Sequence, residues 1–240
     1  MGRWVANTVL RILWYILVPG TVAVLAGYVF ARLQFAGREG VFLFLLSSMM
    51  IPGIIYLIPT FVMLARFPFA GGNNWLGQGG TGFINRWGAL LIPGMVNVYY
   101  IFLLRQTFFS IPRDFEDAAQ VDGANRLQII SRIYLPMIKP TLTVMALFQA
   151  VGNWNDFQWP LIVSTGNPKL WTISLASWQI MMTGTYIKGS GAFDSASSGG
   201  SKDYPFAFTI ATLMSLPTIL LFIFLQRYFV EGMQGFAIKG

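Results

Sequence analysis

The stretch EDAAQVDGANRL, Glu116 to Leu127, is an acidic island with two alanines and a glycine between two long apolar runs. Its carboxylates resist entry into hydrocarbon, where a charge near the bilayer centre costs about 2.5–3.5 kcal/mol or more. The surrounding chain has the opposite character. Of its 240 residues 55% are hydrophobic and 10% charged, and the mean hydropathy is +0.60, whereas a soluble domain carries roughly 25% charged residues. The composition places the chain in a bilayer and the island at its surface.

A helix needs about 20 apolar residues to cross a bilayer. Five stretches qualify: Thr8–Ala31, Val41–Ala65, Trp87–Phe109, Thr141–Val163 and Phe206–Leu225. The expected fold is an all-α integral membrane protein of five transmembrane helices, residues 1–240 forming one domain. Pro19, Pro52, Pro59, Pro93, Pro160 and Pro217 lie in or beside these spans and predict kinks, which a packed bundle tolerates by satisfying the freed carbonyls.

Lysines and arginines set the orientation. Arg32 and Arg38, then Arg105, Arg113, Arg126, Arg132 and Lys139, then Arg227 and Lys239 form three basic regions, which the positive-inside rule assigns to the cytoplasm. The opposite face receives 66–86, with GGNNWLGQGGTG, and 164–205, with GSGAFDSASSGG; both read as flexible external loops. This topology puts Arg3 and Arg11, ahead of and at the start of the first span, on the outer side, which predicts a further helix before Met1 or a short translocated N-terminus.

The net charge of +7 follows these flanks rather than one basic face, so membrane lipid is expected as a partner and nucleic acid is not. With no cysteine and no histidine, disulfides, thiol nucleophiles, histidine bases and the usual zinc ligands are excluded, and no catalytic residue or metal site is expected. GQGGTG at 77–82 fits G-x-G-x-x-G but lacks the strand, helix and acid that give that pattern meaning. No phosphate-binding G-x-x-x-x-G-K-[ST] loop is present either.

Segment 110–140 is too polar to cross the membrane. Ser110 and Pro112 suit a helix start, the acids that follow suit the positive end of its dipole, and Gly123 suits a left-handed stop. A short helix along the membrane surface is predicted. A second helix follows, with Leu127, Ile130, Ile133 and Tyr134 as its apolar stripe. Ala118 and Ala119 leave room for a partner, and Asp117 and Asp122 offer it charge.

Asp117-Ala118-Ala119, Gly123, then Ile133, Leu135 and Pro136 resemble the pattern E-A-A-x-x-x-G-x(9)-I-x-L-P of the membrane subunits of bacterial ATP-binding-cassette importers. NWNDFQWPL at Asn153–Leu161, FARLQFAGR at Phe30–Arg38 and the tail from Leu225 look like the sugar-importing branch, in particular the smaller maltose-type permease subunit. The resemblance implies a type I ABC importer permease fold whose usual first helix is absent here, by a truncated gene start or natural loss. It implies sugar import, a disaccharide or oligosaccharide, through a pathway shared with a second permease subunit. Two ATPase subunits, which bind the ATP and magnesium, and an extracytoplasmic sugar-binding protein complete the assembly in a bacterial or archaeal cell membrane. Residues 112–136 become the coupling segment, with Glu116, Asp117, Ala118, Ala119, Asp122 and Gly123 at the ATPase. The family glutamate is Asp117 here, so its ion pair with an ATPase arginine falls to Asp117 or to Glu116.

In the fourth span, Asp156 is the carboxylate placed within an apolar stretch and a functional candidate for that reason. Gln149, Asn153 and Asp156 share a helical stripe with Met145 and Pro160, opposite Leu147, Trp154 and Leu161. The amides, the carboxylate and Trp154 suit either sugar contact or bonds across helices and between permease chains. From another class, an ion-coupled secondary carrier with Asp156 as its ion site is the alternative.

Overall fold

In a computed structural model, residues 2–183 are described, together with 208–209, 211–212, 214–220 and 223. Every regular element among them is helical. In order these are α1 (Gly2–Arg32), α2 (Arg38–Ser47) running into a 3-10 turn (Ser48–Met50), α3 (Gly53–Ala65), α4 (Trp87–Leu91), α5 (Val98–Ser110), α6 (Asp114–Val121) and α7 (Arg126–Ile129). A π turn (Ile130–Tyr134) leads to α8 (Leu135–Met137), α9 (Lys139–Asn155), α10 (Gln158–Ser164), a 3-10 turn (Pro168–Leu170) and α11 (Ile173–Thr183).

The 31 residues of α1 span about 46 Å at 1.5 Å per residue. Among the described residues, α1 alone is by itself long and apolar enough to cross a bilayer; Arg38–Met50 with Gly53–Ala65, and Arg126–Met137 with Lys139–Asn155, reach that length only as bent pairs. Three expected spans are thus interrupted. The 41–65 stretch breaks at Ile51 and Pro52, 87–109 breaks around Pro93 and Gly94, and 141–163 breaks at Asp156 and Phe157. Proline lacks the amide hydrogen that continues a helix, and Gly94 adopts φ +80°. The chain re-enters helix at Asn97, whose side chain accepts from the Tyr100 amide at 3.2 Å. Pro19 and Pro59 lie within helices. The 206–225 stretch lies only partly within the described residues.

The described residues divide into two compact units, one holding residues up to Trp14, Gly53–Pro93 and those from Ala150 on, the other holding Tyr15–Pro52 and Gly94–Gln149. The second unit has one continuous core of Ala23, Val24, Tyr28, Phe42, Leu104, Phe108, Ile129, Ile130, Tyr134, Ile138 and their neighbours. Gly27 lets α1 approach α5 closely, since a Cβ there would sit 2.9 Å from the Leu104 Cβ. Small residues at helix contacts are the membrane solution where no hydrophobic force draws helices together.

In the first unit, Leu64, Ala89, Leu90, Val163 and Leu170 form one core, and Trp171, Leu175 and Ala176 another. The reading of 66–86 as a flexible loop is corrected, because it is folded tightly on itself. Buried Asn73 donates to the Ala65 and Phe67 carbonyls at 2.9 and 3.0 Å and accepts from the Gly80 amide at 2.9 Å. The glycines serve close backbone approach rather than mobility. A Cβ on Gly77 would lie 2.0 Å from the Arg66 carbonyl oxygen, and one on Gly80 would lie 2.2 Å from that of Gly71. The 164–205 stretch is corrected in part as well, since Ile173–Thr183 is helix; GSGAFDSASSGG lies outside the described residues.

Gly77, at φ +73°, gives the first test. Gly77→Ala is expected to destabilise the first unit by about 1–3 kcal/mol, the cost of a forced backbone conformation, seen as a lower unfolding midpoint in nanodiscs. Gly40→Ala, inside α2 where a Cβ meets nothing within 4 Å, is expected to leave it unchanged or raise it, since Ala favours a helix over Gly.

Candidate functional site

The acidic island folds as predicted in outline. Helix α6 carries Asp114, Glu116 and Asp117 in its first turn and ends at Gly123, φ +80°, with open space around it. Its start differs from expectation. Ser110 closes α5 and donates to the Thr107 carbonyl, and the α6 N-cap position falls on Arg113 without a side-chain cap.

At about 100° per residue, Glu116 and Ala119 share the inward side of α6 and are buried, while Asp117, Ala118 and Val121 face out and are exposed. Asp122 and Gly123 are also exposed. Val121 is 88% exposed and Phe115, on the flank, 50%.

Glu116 answers which of the two adjacent acids belongs to the chain's own interior. Its Oε1 accepts from the Tyr28 hydroxyl at 2.7 Å and its Oε2 from the Tyr134 hydroxyl at 2.7 Å, with the Arg32 Nε 3.8 Å away. Arg32 in turn donates to the Phe108 and Ile111 carbonyls, both at 2.6 Å, closing the end of α5. The rings of Tyr28, Phe108 and Tyr134 meet edge to face at 5.2–6.0 Å. A buried carboxylate persists only when paired and fully bonded, and hydrogen bonds to a charged group contribute about 1.5–3 kcal/mol each.

In the second half of the segment the predicted stripe faces the core at Ile130, Ile133 and Tyr134 and fails at Leu127. Asn125 and Gln128 form a reciprocal capping box at the start of α7, and the π turn then shifts the register by one residue. Ile129, Ile130, Tyr134 and Ile138 are buried and Leu127 is 70% exposed.

A second ionic node lies nearby. Arg105, buried, holds both oxygens of Glu39 at 2.7 Å and stacks over the Phe42 ring at 3.9 Å. Glu39 sits ahead of the apolar run that begins at Val41. Its bonds from Arg105, then from Arg38, hold its carboxyl below the ordinary 4.5.

The fourth-span candidates do not share one stripe, because α9 ends at Asn155 and Asp156 occupies the break. Asn153 and Trp154 are buried, the Trp154 indole donating to the Met214 carbonyl at 3.0 Å. Gln149 lines a mainly apolar cavity of about 310 Å³ in the second unit with Tyr15, Tyr100 and Met145. Asp156 lines a different cleft in the first unit, of about 320 Å³, with Gly53, Tyr56, Thr60, Pro93 and Trp159.

Asp156 also has a basic partner that the sequence reading did not find. Arg11, with its side chain 5% exposed, bonds to Oδ2 at 2.6 Å, while Oδ1 accepts from the Trp159 amide at 3.3 Å. Asn7 and Thr8 are buried on the same side of α1. Asn7 donates to the Lys169 and Trp171 carbonyls, and Thr8 accepts from the Ile173 amide. The signal was the polar spacing 7, 8, 11, one helical face inside an otherwise apolar helix.

With this geometry in hand, the comparisons are specific. Residues 7–235 match the family described as the binding-protein-dependent transport system inner membrane component, and the chain belongs to it. It is 31% identical to the lactose transport system permease protein LacG of Rhizobium radiobacter over 89% of this chain and 67% of that one. To the arabinooligosaccharides transport system permease protein AraQ of Halalkalibacterium halodurans it is 27% identical, over 99% and 74%. The fold matches a crystal structure of a bacterial ABC transporter that imports the acidic polysaccharide alginate, with TM-score 0.72 and 21% identity over 95% of this chain and 74% of that one. The fold is that of an ABC importer permease. The ion-coupled carrier has no support from these findings, and Asp156, as an ion site, would first have to surrender Arg11.

Two outcomes follow. Asp156→Asn removes a charge bonded to buried Arg11 and is expected to destabilise by about 3–5 kcal/mol, whereas Arg11→Met with Asp156→Asn recovers most of that loss in the unfolding midpoint. Because the Glu39 carboxyl is lowered by folding, its contribution is full above the unfolded value and fades as pH falls through the folded one. The midpoint gap between wild type and Glu39→Gln should therefore hold from pH 7 down to the unfolded carboxyl value of about 4.3 and shrink as pH falls further.

Proposed function

We propose that this chain is the sugar-importing permease subunit of an ATP-driven complex, with a disaccharide or short oligosaccharide as cargo. The relatives named for lactose and arabinooligosaccharides support that class of cargo. A second permease subunit shares the pathway, an extracytoplasmic binding protein delivers the sugar, and two ATPase subunits bind and hydrolyse ATP with magnesium on the cytoplasmic side.

The observation that carries the coupling is the outward face of α6. A surface helix anchored on one side leaves Asp117, Ala118 and Val121 exposed on the other, with Phe115 on its flank. Apolar side chains beside a charge on an exposed patch fit a protein partner. Ala118 lets that partner come close, Asp117 offers the ion pair to an ATPase arginine, and Gly123 supplies the left-handed turn that frees the end of the helix. Gln149, Asn153, Trp154 and Asp156 act in this reading mainly as bonds that hold the bundle together, with Asp156 also at the edge of an open cleft.

The test is to purify the chain with its operon neighbours and to measure what stays bound and whether sugar-loaded binding protein stimulates ATP hydrolysis in nanodiscs. Ala118→Lys and Val121→Asp face outward, so the chain's own unfolding midpoint is expected to stay in place while ATPase recovery falls about tenfold or more, as at an interface hot spot. Unchanged recovery and hydrolysis in both variants would sink the docking assignment.

A further inference from the structure

Resting on the reading of α6 as the docking helix, we propose that Glu116 is the joint that passes movement of α6 to α1. It acts as a positioning residue on the inner side of α6, not as a contact to the ATPase.

Three side chains from two elements meet at this one carboxylate. Tyr28 brings α1 to it, Tyr134 brings the π turn, and Arg32, also from α1, lies at 3.8 Å while holding the last carbonyls of α5. Tyr28 is 88 positions from Glu116 in sequence and Tyr134 is 18, so the tie is tertiary and bypasses the backbone links at either end of α6. All four groups are buried.

Short bonds to a charged acceptor are directional and strong. In a site closed to water, a displacement of α6 either breaks them without replacement or carries Tyr28 and Arg32 along. The edge-to-face rings around the carboxylate fill the space into which it would otherwise slip. At its other end α6 leaves through Gly123, a positive-φ turn with nothing within 4 Å of its missing Cβ. Docking force on the outward face is therefore delivered inward through Glu116 and reaches α1 at Tyr28 and Arg32.

The experiment uses the whole reconstituted importer and reads sugar imported per ATP hydrolysed. Glu116→Gln keeps the side chain's size and can still accept a hydroxyl, but removes the charge. Tyr28→Phe with Tyr134→Phe keeps the ring packing and removes both donors. Both variants are expected to retain the ATPase subunits and to hydrolyse ATP, while sugar per ATP falls about fivefold or more, the lower range of coupling between linked sites. Tyr28→Phe alone, the mildest change, should fall between.

A wild-type ratio in both Glu116→Gln and the double tyrosine variant would overturn the joint. So would loss of the ATPase subunits from both, which would make the cluster part of the docking surface. Should Glu116→Gln fold poorly, the tyrosine variants decide, since each removes a single oxygen. Failure of the parent reading is separate, because it would show as unchanged ATPase recovery and hydrolysis in Ala118→Lys and Val121→Asp.

Discussion

A carboxylate that cannot be left unpaired inside a membrane protein organises half of this chain. Glu116 is 9% exposed, and its burial requires two hydroxyls and a guanidinium to be delivered from elements far apart in sequence. Once Tyr28 and Tyr134 are committed to it, α1 must pass beside the π turn. Arg32, drawn to the same place, also closes the end of α5. Ala119, one turn on along the same face of α6, is buried there, where a larger side chain would compete with the ring cluster. The Arg105–Glu39 pair repeats the principle between α5 and α2, with its guanidinium covered by Phe42 rather than by hydroxyls.

The same constraint explains the interrupted spans. Backbone groups released at Pro52, Pro93 and Asp156 have no water to turn to in hydrocarbon, so such breaks persist where they are buried in protein or border a cavity. Gly53, Pro93 and Asp156 all border one cleft, together with Thr60, Gln158 and Trp159. The Asp156 break is in addition pinned by Arg11 on one carboxylate oxygen and by the Trp159 amide on the other. An arginine that looked misplaced at the start of the first span is a buried member of that span with its counter-charge in reach.

What the sequence made legible is what local chemistry decides. The helical class, the surface helix, its acids in the first turn and its stop at Gly123 all follow from neighbours within a few residues. What it hid is decided from a distance. Glu116 and Asp117 are chemically near-identical in the sequence, and only Tyr28 and Tyr134 distinguish them. Leu127 opens an apolar stripe whose other members, Ile130, Ile133 and Tyr134, reach the core, and only tertiary packing leaves the first turn of α7 outside it. The glycines of 66–86 have the composition of a flexible linker, yet four carbonyl contacts near 2 Å show backbone where a Cβ would be. Composition reports that side chains are missing, not what fills their place.

Adjacent residues on α6 thus face opposite demands. A helix advances about 100° per residue, so of two consecutive acids at the edge of a buried face one can turn inward while the other stays exposed. A single acid would have to choose between anchoring the segment and presenting charge. The pair removes that conflict, because Glu116 is satisfied within the chain and Asp117 stays in solvent. The departure from the family's usual glutamate at the outward position is compatible with this division. The long side chain is needed inward, where it must reach two hydroxyls, while the shorter one outward keeps its charge close to a backbone already held in place.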